Sequence, residues 1–413
     1  MEKKYSLSFM LTLVAAASAL TCLLITLVFL LYIDSRKELH ELGTVNQNPQ
    51  HSEQQQAEAA RLEELLRVIE NRFIGSFDIE ELTNEAMRAA VEALEDDWSY
   101  YMTAQEFADF QANSNNRYSG IGVEVILDED TEGMRVVRVY SDSGADRAGI
   151  LADDIVTAVD GESIIGLTLP EIRNLLRREI GESAIVTVNR DGNFMDLKVE
   201  YSIVFTDPVN FEMLDGNIGY IKLRNFEEGA SSRFIAAVTE LIDKGAVAFI
   251  YDVRSNNGGR VGEVTAILDF LLPEGEIFIS VDRSEEENIT YSDDKFTDFP
   301  AVVLVNVYSF SGAEYFAAML SEYDYAPSVG EQTTGKNRMQ TTIPLSNGGA
   351  VHISTGHYLT KNRVSLFDIG GFTPEYVIEM TDDERKLYYR GELSGDLDRQ
   401  LKKALSLLEN TVN

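Results

Sequence analysis

"AVVLVNVYSFSGAEYFAAML", residues 301–320, joins an apolar run to a helical pattern through two serines set among small residues. The run 301–305 lacks the alternation of a half-exposed strand, and continuous apolar strands of this kind are those buried on both faces. "AVAFIYDV", residues 246–253, has the same character. Around these two lie "GNIGYIKL", "SSRFIAAVTELIDKG", "GRVGEVTAILDFLLPEG" and "PSVG", so strands and helices alternate from about Asp207 onward. That alternation predicts an α/β domain of catalytic type.

Upstream the pattern changes to short strands, "GIGVEVIL", "MRVVRVY", "DIVTAVDG" and "SAIVTVNRDG", with one helix, "TLPEIRNLLRREIG", between the last two. Such a set makes a small, partly open barrel. The loop "YSGIGV" that opens it carries Gly120 and Gly122, where the lack of a Cβ lets backbone N–H groups converge on an anion. Earlier still, "GTVNQNPQHSEQQQAEAARLEELLRVIE" passes from a polar linker into a stalk with Leu62, Leu65, Leu66 and Ile69 at helical spacing. The helical pattern resumes from Asp78 and breaks at "DDWS", where Trp98, Tyr100 and Tyr101 read as a core-facing turn.

The 413 residues leave room for two to three domains. Against 69 acidic residues stand only 35 Lys and Arg, a net charge of −34 that repels polyanions and argues against a nucleic-acid partner. The one cysteine, Cys22, excludes disulfides within the chain and any thiolate metal site. Tyr5 to Ile33 is 29 positions without a charge, while a bilayer span takes about 20 residues. This stretch reads as an uncleaved transmembrane anchor. Lys3 and Lys4 before it are balanced by Arg36 and Lys37 after it, so local charge leaves the orientation undecided.

Serine is a weak nucleophile until a neighbouring base takes its proton. Of four histidines, His40 and His51 fall in the stalk, and His352 and His357 lie on opposite faces of one apparent strand. No G-x-S-x-G elbow occurs. Lys336 in "TTGKNRMQ", residues 333–340, is a candidate base if burial brings its amine towards neutrality. Were that segment a strand, Gln340 would share a face with Lys336 and could fix it. "SDSGAD" at Ser141 sits in a strand connection and is set aside. "DEDTEG", residues 128–133, lacks the glutamate a calcium loop needs at its twelfth position and reads as a hairpin turn. "DRSEEEN" and "YSDDKFTD" read as a solvated loop over the catalytic domain. No cofactor is implied.

Two resemblances add to this. "RAGILADDIVTAVDG" and the helix after it resemble a PDZ domain, from about Ser119 to Ile203. The resemblance implies capture of a peptide C-terminus, its carboxylate held by Ser119, Gly120, Ile121 and Gly122. "SFSGAE", "TTGKNRMQ" and "DVRSNNGG" (residues 252–259) are similar to three blocks of the carboxyl-terminal processing peptidases, S-A-S-A-S-E, T-F-G-K-G-x-x-Q and D-L-R-N-N-P-G-G. These are tail-specific serine proteases with a Ser-Lys dyad. By that resemblance Ser311 is the nucleophile, Lys336 the general base and Gln340 the residue that orients it. The oxyanion donors are the N–H of Gly312 and that of Gly259 or Gly258, and Ser309 is a structural serine satisfied by backbone. "GGFTPEYVIE" resembles the closing G-I-x-P-D segment.

Phe310, Gly312, Ala313, Asn257 and Asn337 depart from the pattern, but none removes a catalytic side chain. The implied architecture is multidomain α/β: an anchor (1–33), a linker and helical region (34–112), a PDZ domain (113–205) and a protease domain of crotonase-like type (206–413). The implied function is a membrane-anchored serine endopeptidase with its domains outside the cytoplasm. Its substrates would be proteins or peptides with free, apolar C-termini, selected or gated by the PDZ unit. Homo-oligomerisation is left open. The alternative is a catalytically inactive, membrane-tethered PDZ scaffold.

Overall fold

The computed structural model describes residues 49–412, apart from 129–132, 168–170, 173, 174 and 177. The anchor expected at Tyr5–Ile33 lies outside the described residues, and among those described no helix is long and apolar enough to cross a membrane. The chain divides into two units, Met1–Leu82 and Thr83–Asn413. In the first, the helix Pro49–Arg72 exposes Leu62, Leu65 and Val68.

The second unit is built around a six-stranded sheet ordered Val209–Leu214, Ile218–Leu223, Ala248–Asp252, Ala301–Val305, Ser328–Gly330, Tyr376–Val377. Its first pair is antiparallel and every later pair parallel. The apolar runs are continuous because both faces are covered. Phe249, Tyr251, Val303 and Val305 pack with the helices Ala230–Asp243, Val261–Leu271 and Gly312–Glu322. Ala248, Ile250, Val302 and Leu304 pack instead with Ala404 and Leu408 of the C-terminal helix Arg399–Val412.

A second sheet is antiparallel and was not legible as a unit. It runs Tyr100–Met102, Ala350–Leu359, Gly275–Asp282, Glu287–Ser292, with Arg338–Pro344 also paired to Ala350–Leu359. "DRSEEEN" is therefore largely the turn of a hairpin, and "YSDD" begins in its outer strand, where a solvated loop was expected. The segment around Trp98 also needs correction. Tyr100–Met102 pairs with Ala350–His352, which draws the end of the helical region into this sheet and turns Trp98 towards Lys336.

The barrel expected upstream is a six-stranded sheet, Val123–Leu127, Met134–Val139, Ile155–Val159, Ser183–Arg190 and Asn193–Glu200 in order, with Glu162–Ser163 paired to Ile155–Val159. It has its own core, including Val136, Ile150, Ile164, Val186, Val188 and Val199. The helix expected over residues 168–181 falls partly outside the described residues. Before the barrel, Arg117–Gly120 pairs antiparallel with Ser202–Phe205, the strand that leaves it. The way in and the way out thus form one two-stranded stem.

A buried charge cluster ties the central sheet to the chain's end. Arg254 is 2% exposed; its guanidinium meets Asp252 at 2.7 Å and Asp398 at 2.9 Å, and it donates to Gln400 at 3.0 Å. Burial alone would raise the Asp252 pKa, but Arg254 and Lys222 hold it far below the usual carboxylate range. Removing one member of such a cluster leaves the others charged and unpaired. Arg254→Ala is expected to lower stability by about 3–5 kcal/mol, read as a fall in the thermal unfolding midpoint larger than that of Arg254→Met, which refills the space.

Candidate active site

Ala248–Asp252 and Ala301–Val305 are parallel neighbours, so the loops leaving their carboxyl ends emerge side by side. One loop is "VRSNNGG", residues 253–259, and the other "NVYSFS", residues 306–311. They are bonded to each other: the Phe310 N–H donates to the Asn256 carbonyl (3.1 Å), and the Ser255 N–H to Asn306 Oδ1 (2.8 Å). Ser309 Oγ donates to the Val253 carbonyl (2.8 Å) and accepts from the Asn306 N–H (3.0 Å), so it is a brace satisfied by backbone.

Ser311 stands immediately before the helix Gly312–Glu322, with φ 56° and ψ −123°. A non-glycine residue rarely adopts that conformation, which costs about 1–3 kcal/mol and must be held by its surroundings. The glycine pair does part of the holding. A Cβ on Gly258 would lie 2.8 Å from both the Gly312 nitrogen and the Ser311 Cβ, and one on Gly259, where φ is +147°, 2.4 Å from the Phe226 carbonyl. Only a glycine at 258 lets the two loops approach this closely, and only one at 259 lets the first of them lie against Phe226.

The other part is Glu314, fully buried in the first turn of that helix. Its carboxylate accepts from the Ser311 N–H (3.0 Å), the Thr333 hydroxyl (2.6 Å), the Lys336 N–H (2.8 Å) and the Gly335 N–H. Burial raises its pKa, and these four donors draw it back. Glu314 therefore ties the serine turn to the lysine loop. The closing segment supports that loop in turn, for the Phe372 N–H donates to Thr333 Oγ1 (2.8 Å) and the Thr333 N–H to the Phe372 carbonyl (3.0 Å).

Lys336 is half-buried, and burial pushes its amine down to about 8, opposed by the charges of Asp96 and Glu314. The amine rests on the indole of Trp98, 4.3 Å from the ring centroid, and makes no hydrogen bond to Ser311 among the described residues. Tyr358, buried on the strand Ala350–Leu359, donates to the Lys336 carbonyl. Gln340 does not reach Lys336; its amide donates to Ser354 Oγ at 3.3 Å. The strand begins only at Arg338 and carries an irregularity between Met339 and Gln340, so the shared face expected of a continuous strand is absent.

Of the oxyanion candidates, the Gly258 N–H is already spent on Asn256 Oδ1 (2.8 Å). The N–H groups of Gly259 and Gly312 donate to no acceptor among the described residues. His352 lies close enough for the Lys336 charge, after burial, to push its pKa down to about 4, and its Nδ1 pairs with Thr342 Oγ1 at 2.8 Å. It is a neutral neighbour of the lysine. Sequence reasoning missed Glu314, Trp98, Tyr358 and His352; only Glu314 had a signal, as the last letter of the serine block.

Ser119, Gly120, Ile121 and Gly122 line a cavity of about 1030 Å³ together with Val123, Val125, Ile164 and Leu176. The helix Ala104–Ser114 also lines it, through Gln105, Ala108, Asp109, Ala112 and Asn113. Ser119 and Gly120 belong to the stem strand, and Gly122, at φ 90°, makes the turn after it.

Residues 217–378 match the model of peptidase family S41, and residues 135–190 that of a PDZ domain. The chain is 30% identical over 342 residues to a carboxy-terminal-processing protease of Bartonella bacilliformis, which covers 80% of this chain and 77% of the relative. To the carboxy-terminal processing protease CtpA of Bacillus subtilis it is 27% identical over 356 residues, covering 84% and 76%. A crystal structure assigned to the S41 proteases, from Bacteroides fragilis, superposes with a TM-score of 0.55 over 83% of this chain and 93% of that one, at 15% identity, and so shares the fold.

Glu314→Gln keeps the shape of the side chain but replaces one acceptor oxygen by a donor facing donors. Each orphaned N–H is expected to cost about 1–3 kcal/mol. The variant should unfold at lower temperature, and Ser311 should react about tenfold or more slowly with a phosphonylating serine probe, because the turn and the lysine loop lose their common anchor.

Proposed function

The chain belongs to peptidase family S41, the carboxy-terminal processing serine proteases, and from that premise we propose a membrane-anchored endopeptidase that cuts proteins near exposed apolar C-termini with a Ser311–Lys336 dyad. The observation that carries this reading is the convergence of three distant blocks on one turn: Gly258 against Ser311, and Glu314 bonded to both Ser311 and Lys336.

In the proposed reaction the neutral Lys336 amine takes the Ser311 proton while Oγ attacks a peptide carbonyl. The N–H groups of Gly312 and Gly259 receive the developing oxyanion, a contribution on the order of 10²–10³ in rate per donor. Lys336 then returns the proton to the leaving amine, and water releases the acyl group. With the amine on Trp98 and the Gln340 amide on Ser354, the reaction requires both to swing in, which supports gating as well as recognition by the PDZ unit. The helix that walls the cavity follows Tyr100–Met102 and Trp98 directly in the chain, giving a short covalent path from peptide groove to lysine. The anchor expected at Tyr5–Ile33 would tether these domains to the membrane, and the family resemblance puts them outside the cytoplasm.

The test is cleavage of an unfolded protein with an apolar C-terminus. Ser311→Ala is expected to abolish it and Lys336→Ala to slow it by about 10²–10⁴. Turnover surviving in Ser311→Ala would remove the nucleophile assignment, and an inactive parent would favour the scaffold. Because the base must be unprotonated, kcat/KM should rise with pH and level off above the amine's value of about 8. A second expectation concerns the groove: blocking the substrate's terminal carboxylate as an amide should weaken KM more than it lowers kcat if the loop Ser119–Gly122 holds that group.

A further inference from the structure

Trp98 belongs to no block of the resemblance, yet it lies against the amine on which the proposed chemistry turns. Three contacts fix it there. Ser99 Oγ accepts from the Ser354 N–H at 3.0 Å and hydrogen-bonds Asp96; Tyr100–Met102 is paired to the strand Ala350–Leu359; and the indole packs on Phe310, next to the nucleophile, at 6.1 Å between ring centroids. A lysine ammonium 4.3 Å from an indole centroid is well within the range where the ring's negative face attracts a cation. The neutral amine gains nothing comparable.

We propose that Trp98 is a positioning residue for Lys336: its indole holds the ε-ammonium on the ring, and the amine must leave that face before it can take the Ser311 proton. This rests on Lys336 being the base. The indole would make the lysine's idle state a defined one, and the segment that carries it would set the fraction of enzyme that is competent.

The charged and titratable neighbours of the amine are Asp96 on the turn before Tyr100, Glu314 on the helix after Ser311, and His352 and Tyr358 on the strand Ala350–Leu359. Arg338 acts on Asp96 from the adjoining strand. Burial would raise Asp96, but hydrogen bonds from Ser99 and Ser354 keep it low, and His352 is held near 4, so neither changes charge between pH 6 and 9.

Two roles for the ring give opposite signs. If it stabilises the cation, replacing it by an apolar side chain without a π face makes deprotonation easier; if it only shields the amine from water, the same replacement makes deprotonation harder. The experiment is competitive acetylation of the Lys336 amine across pH, quantified by mass spectrometry on the full-length chain in a Ser311→Ala background. Trp98→Leu and Trp98→Phe would be measured beside the parent. We expect the amine's titration midpoint to fall by about 0.5–1.5 pH units in Trp98→Leu and by less in Trp98→Phe, which keeps a weaker ring face. A rise, or an unchanged midpoint, would overturn the proposal. Cleavage by the Ser311-intact variants separates the premise from the inference. A kcat/KM limb that moves with the amine supports both; an amine that moves while the limb stays fixed leaves Trp98's hold on the lysine standing and overturns its positioning role in catalysis together with the base assignment.

Discussion

Everything at the site depends on one buried carboxylate. Glu314 sits at the amino end of a helix, where unpaired N–H groups favour negative charge, and it satisfies donors from two segments more than twenty residues apart in the chain. Those bonds fix the backbones of Ser311 and Lys336 relative to each other whatever the lysine side chain does. The arrangement is rigid at the main chain and free at the amine. That combination lets a strained serine turn persist while the Lys336 amine occupies a position away from it.

The parallel sheet supplies the second constraint. Because Ala248–Asp252 and Ala301–Val305 are adjacent and parallel, the glycine loop and the serine loop leave the same edge, and ligand sites in such sheets collect at the carboxyl ends of strands. The buried Arg254 cluster lies just beyond the strand Ala248–Asp252, so a residue at the start of the glycine loop also holds the C-terminal helix through Gln400. Chain end and reaction centre share one electrostatic anchor.

Much of this was legible in the sequence. The continuous apolar runs at 246–253 and 301–305 foretold a covered sheet, and the serine, lysine and glycine blocks foretold which loops would meet. What escaped reading was pairing at long range. Tyr100–Met102 is three residues long and carries too little pattern to reveal that it joins a strand some 250 positions later, yet that pairing brings Trp98 to the lysine. Gln340 failed for a related reason: a two-residue periodicity holds only inside a regular strand, and both the late start at Arg338 and the irregularity before Gln340 break it. Glu314 stood in view as a motif letter, but a sequence cannot count the donors that will surround it.

The two-stranded stem of Arg117–Gly120 and Ser202–Phe205 has its own mechanical consequence. A domain held by two separate tethers can shift in several directions, each tether yielding on its own. Here the entering and leaving strands are laced together by backbone hydrogen bonds, and Asn116 at their base bonds Thr206, Asn225 and the Glu228 carbonyl. The PDZ domain is thus an insertion mounted on a single two-stranded ribbon, which bends more easily across its face than along its strands. The helix Ala104–Ser114, which shares the cavity with that insertion, leads back through Tyr100–Met102 to Trp98 beside the lysine.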